Sequence, residues 1–110
     1  MAYDREIEKV VDAIFAPEDG LASKKMFGGV CYLFEGNMAF GILNDSLIIR
    51  LGDPEQAEVF IEAGRALAFD ITGRAMKGWV MVPKANLAGK RDYREWLEKG
   101  LKFAKSLPPK

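Results

Sequence analysis

Apolar residues recur at helical spacing near the start of the chain. Ile7, Val10, Val11 and Ile14 face one way between Asp4 and Ala16, while Arg5, Glu6, Glu8, Lys9 and Asp12 face the other. This predicts an amphipathic helix. Asp4 is its expected N-cap, because a carboxylate there accepts the free N–H groups of the first turn. Pro17 and the following Glu-Asp-Gly stop it. From Lys25 to Glu35 the period changes to two. Apolar groups fill both alternating sides, with Met26, Val30, Tyr32 and Phe34 on one and Phe27, Cys31 and Leu33 on the other. That pattern predicts a strand largely buried by its neighbours. Glu35 to Met38 reads as a tight turn with Gly36 and Asn37 at positive φ. Met38–Leu43 is the return strand, Asn44-Asp45 a second turn, and Ser46–Leu51 a third strand, giving an antiparallel meander.

The next segment, 52–64, returns to helical spacing. Asp53 is the expected cap, Pro54 occupies the first helical position, and Gln56 follows in a capping-box-like place. Ala57, Phe60 and Ile61 form its apolar face, and Gly64 ends it. Ala66–Ile71 fits a short strand, Thr72-Gly73-Arg74 a turn, and Met76–Val82 a strand closed by Pro83. A last helix is expected from Asp92, with Tyr93, Trp96, Leu97, Leu101 and Ala104 as its buried stripe; Gly100 interrupts it at about 1 kcal/mol relative to alanine. The element order is α-β-β-β-α-β-(β)-α. It predicts an α+β two-layer sandwich, an antiparallel sheet with helices packed on it, as a single domain over 1–110.

Composition narrows the chemistry. Sixteen basic residues balance sixteen acidic ones, which disfavours nucleic acid as a partner although a local patch remains open. There is no histidine and one cysteine, so Ser-His and Cys-His catalysis, His-liganded zinc and an internal disulfide are excluded by counting. The expectation is a chain without catalytic residues, metal or cofactor. Apolar runs fall short of the ~18 residues that span a bilayer, and the charged start is unlike a signal peptide. A cytoplasmic protein is therefore expected.

Two stretches invite functional readings. Ser23 to Gly29 carries Lys24, Lys25, Phe27, Gly28 and Gly29. It lacks the Gly-Lys-Ser/Thr of a phosphate loop and leads into a strand, so the glycines read as a bulge or as close packing against a helix. Asp70 to Trp79 carries Gly73, Arg74, Lys77 and Trp79, in which two cations face an anion and an indole offers a stacking surface. The plainer reading is a turn and a packed tryptophan. If the two stretches converge, these nine residues form a basic, glycine-flanked binding surface for a small molecule or anion. Cys31, amid Val30, Tyr32 and Leu33, reads as a small buried hydrophobe.

Lys25-Met-Phe-Gly-Gly29, then Leu47 to Gly52, then Thr72-Gly-Arg-Ala-Met-Lys-Gly-Trp79, and the closing helix together resemble the TfoX/Sxy amino-terminal domain family. The resemblance spans almost the whole chain. It implies an α+β two-layer sandwich of the kind shared with type III secretion chaperones. The family is named for regulators of DNA-uptake competence, which carry a second, helical domain that would begin where this chain stops. It supplies no catalytic residues. What it implies here is a non-catalytic regulatory or interaction module with a protein partner, and an open sheet edge or face would also support a homodimer.

Overall fold

The computed structural model describes residues 3–15, 20–26, 28–70 and 75–109. Its elements in order are α1 (Arg5–Phe15), β1 (Leu21–Met26), β2 (Gly29–Phe34), β3 (Asn37–Leu43), β4 (Ser46–Arg50), α2 (Pro54–Glu62), β5 (Leu67–Asp70), β6 (Ala75–Pro83), a 3-10 turn at Lys84–Asn86, and α3 (Lys90–Lys105). The strands form one six-stranded antiparallel sheet in the order β1-β2-β3-β4-β6-β5. The α+β sandwich expected from the pattern is therefore the fold, with one strand more than the sequence suggests.

Helix termini follow local chemistry. Asp4 accepts the N–H groups of Glu6 and Ile7 at 2.8 and 3.2 Å. Asp53 accepts those of Glu55 and Gln56 at 3.0 and 3.4 Å. The third helix starts at Lys90, before Asp92, because Asp92 reaches back to the Ala88 N–H at 2.8 Å from inside the first turn.

The added strand comes from dividing 25–35. Met26 and Gly29 pair across a turn in which Gly28 has φ +76°, so β1 and β2 form a hairpin. Gly29 is tight against a strand and not a helix: a Cβ there would enter the Ile42 carbonyl of β3. The next turn also differs from expectation. Positive φ falls on Glu35 (48°) and Gly36 (88°), while Asn37 opens β3. Asn37 is buried and its amide donates to the Pro108 carbonyl at 2.8 Å, tying the sheet to the segment after α3.

Register decides the layers. Val30, Phe40, Ile42, Leu47, Ile49, Val80 and Val82 share one face and join one core with Ile7, Val11, Ala57, Trp96, Leu97 and Leu101 from the helices. All three helices thus cover the same face. Cys31, Gly41, Ile48 and Met81 form a cross-strand row on the other. The centre of the core is Phe40, fully buried, with ring centroids 5.5 Å from Phe15 and 5.1 Å from Tyr32. Gly100 brings α3 against β3 so closely that a Cβ would collide with the Ala39 carbonyl.

The α1 start is clamped from the 3-10 turn that follows β6. Lys84 reaches Asp4 at 3.1 Å and Glu6 at 3.5 Å. The Lys84 hydrogen bond holds the Asp4 carboxyl below its ordinary 3.8, burial opposes this, and the capping N–H groups add to it. A lowered folded value means that Asp4 contributes fully above its ordinary pKa and loses that contribution as pH falls through the folded value. Lys84 is raised from 10.5, so its share is present below that value and is lost as pH rises past the folded one. Asp4→Ala removes the cap and lowers stability by about 1 kcal/mol at neutral pH. Urea unfolding from about pH 6 to pH 2 checks this: the gap between wild type and variant narrows toward the acid end.

Candidate functional site

Lys24 and Lys25 of the first stretch do not meet Lys77 and Trp79 of the second. Lys24 and Lys25 are exposed on β1, an edge strand. Register carries Lys24 through Cys31, Gly41 and Ile48 to Met81. Lys77 is on the same strand as Met81 but four residues further along. Four strand spacings put β1 and β6 about 19 Å apart, and the offset adds roughly 13 Å along the strand. The nine residues therefore do not form one surface among those described. Phe27, Gly73 and Arg74 lie outside the described residues.

What the second stretch does instead is turn the chain. Gly78 has φ +82°, and its carbonyl accepts the N–H groups of both Leu51 and Gly52 at 2.8 and 2.9 Å. This closes the end of β4 and aims the chain into α2. A Cβ on Gly78 would press on the Gly52 backbone at 3.3 Å, in a conformation that L side chains rarely adopt. Lys77 is exposed beside it. Trp79 is half-buried on an interior strand, with Phe69 of β5 at 5.8 Å between ring centroids. Its other neighbour is a residue that the sequence did not mark. The Arg50 guanidinium carbon lies 5.5 Å from the Trp79 ring centroid and 5.1 Å from that of Phe103 in α3. The only signal for Arg50 was a single charge closing the apolar run Leu47 to Ile49.

Cys31 is buried, and burial pushes its thiol up, so it stays protonated and unreactive at neutral pH. Among the carboxylates of α1, Asp12 accepts the Tyr32 hydroxyl at 2.8 Å and Glu8 the Tyr3 hydroxyl at 3.2 Å. Burial first, and the Asp12 hydrogen bond second, raise the Tyr32 pKa, so that hydroxyl remains a donor. An open groove of about 520 Å³ between α2 and α3 is rimmed by Gln56, Glu95, Glu98, Lys99 and Lys102; its charges are mixed. No helix among the described residues is long and apolar enough to cross a membrane.

Among the described residues the sheet has two open edges of opposite character. On β1, Lys24 and Lys25 project into water, which discourages another strand from pairing there. On β5, Leu67 is 50% exposed beside the unpaired backbone edge. Val59, on the helix just before β5 and packed against its side of the sheet, is 63% exposed. These are the large hydrophobic side chains left in water among the described residues.

The model of the TfoX N-terminal domain matches residues 13–104. The chain belongs to this family. The match takes in both motif stretches and every element from the end of α1 to the end of α3. In this TfoX N-terminal domain, Gly29, Gly78 and Trp79 hold the scaffold: a close strand approach, a backbone junction and an aromatic contact. No curated protein and no solved structure matches the chain.

Proposed function

We propose that this chain is a non-catalytic regulatory module that acts by binding another protein, related in scaffold and in role to the regulators of DNA-uptake competence. The observation that carries the reading is the β5 edge. An open strand with a half-exposed leucine offers main-chain hydrogen bonds and an apolar anchor together, the two things an extended peptide needs to add a strand. The occupant is an extended apolar segment of a partner protein, met in the cytoplasm. Membership of the TfoX N-terminal domain family supports the regulatory setting. The balance of charge and the spacing of Lys24, Lys25 and Lys77 favour a protein partner over nucleic acid.

Leu67→Glu tests it. The substitution places a charge on an exposed edge position, so the fold keeps its stability within about 0.5 kcal/mol. In affinity capture from cell extract, proteins retained by the wild type are expected to be lost with Leu67→Glu. Identical capture by the two refutes the β5 site. A wild-type dimer in sedimentation that dissociates on Leu67→Glu would replace the foreign partner with a second copy.

A further inference from the structure

We propose that Arg50 is a binding site for a small oxyanion, a carboxylate or a phosphate group. The proposal is independent of the β5 edge. Arg50 is partly buried at the end of β4, where its guanidinium lies against Trp79 and Phe103. The two rings come from different elements, so the sheet and α3 together fix where the cation sits. Contact with ring faces returns part of the hydration that the cation gives up. Hydrogen bonding to described protein groups returns little of the rest. Of its five N–H donors, one reaches the Met38 carbonyl, at 3.5 Å, the limit of a hydrogen bond. No carboxylate pairs with it among the described residues, although Asp4, Glu6 and Glu98 all have cationic partners.

A half-desolvated guanidinium with open donors is poised for bidentate recognition. Its planar fork matches the oxygen spacing of carboxylate and phosphate, and its position costs little entropy on binding because the rings already hold it. Structural packing alone explains why an arginine stem lies over rings. It does not explain a cation that no carboxylate pairs with among the described residues, while Asp4, Glu6 and Glu98 are paired with cations elsewhere. Trp79 then has a second role as the surface that orients the ligand-bearing group. The site differs from the basic surface expected from the sequence, since it uses Trp79 without Lys24, Lys25 or Lys77.

Nitrogen-15 NMR of the full chain tests this. The Arg50 Nε–H and Trp79 indole N–H are followed while sodium phosphate or sodium acetate is added, with sodium chloride at matched ionic strength as the reference. A saturating shift at both groups, with a midpoint in the low-millimolar range, is the expected result; saturation by phosphate alone, by acetate alone or by both assigns the ligand chemistry. Arg50→Lys keeps the charge and loses the fork, and is expected to weaken binding about tenfold with amide dispersion unchanged. Shifts with both anions no larger than with chloride overturn the proposal. So does equal binding by Arg50→Lys.

Discussion

Gly100→Ala destabilises the protein by about 2 kcal/mol, and Tm falls by roughly 10 °C. Helix propensity predicts the opposite sign, since alanine gains up to about 1 kcal/mol over glycine in a helix interior. The packing decides otherwise. A Cβ at Gly100 meets the Ala39 backbone carbonyl, with the Ile49 side chain 3.5 Å away. A backbone carbonyl inside a sheet cannot rotate aside, so α3 must lift from β3. That separation loosens Leu97, Leu101 and Ala104, all buried against the sheet. Thermal melts followed by circular dichroism give the answer directly. A variant as stable as wild type or more so would show that α3 tolerates the shift, and the close approach would carry no energetic weight.

Phe40→Ala is expected to cost about 3–5 kcal/mol, the range for deleting a buried aromatic. Phe40 is wholly inaccessible and touches both a helix, through Phe15, and the neighbouring strand, through Tyr32. Removing it leaves a cavity where the two layers meet. Against a total stability of about 5–15 kcal/mol, that loss leaves the variant marginal at best. Phe40→Leu retains most of the volume and should recover more than half of the loss. Urea unfolding of the pair separates the two sizes of cavity. Equal midpoints for wild type and Phe40→Ala would place the core elsewhere.

The sequence was most legible where structure is local. The Asp4 and Asp53 caps, Pro54 at the helix start and the buried stripe of α3 stand where their spacing puts them, because capping and amphipathic periodicity are satisfied within one or two turns. It failed where a partner is distant. The strand β1 reads Leu-Ala-Ser-Lys-Lys-Met, with no apolar alternation, because an edge strand is held by pairing and needs no buried face. Asn37 looked like a turn residue, yet its amide is committed to Pro108, 71 positions away. Gly100 looked like a flaw in a helix until β3 was placed beneath it.

The site followed the same rule. Lys77 and Trp79 drew attention in Lys77-Gly78-Trp79, but the residue between them, Gly78, makes the junction with Leu51 and Gly52 that no local pattern reveals. Arg50 and Leu67 were passed over for the same reason. An arginine ending a strand is ordinary until two rings are found beside it, and a leucine in a short strand is ordinary until that strand turns out to be an edge. Lys24 and Lys25 show the converse: prominent in sequence, they sit where they block an edge.

The most direct test of the account sets the two edges against each other. Leu67→Glu alters β5, and Lys24→Glu with Lys25→Glu alters β1, each in an otherwise unchanged chain. Affinity capture from cell extract, read by quantitative mass spectrometry, is predicted to lose its specific partners with the first and to keep them with the second. Loss with the lysine variant and retention with Leu67→Glu would contradict the account, and would move the binding surface to the opposite edge of the sheet.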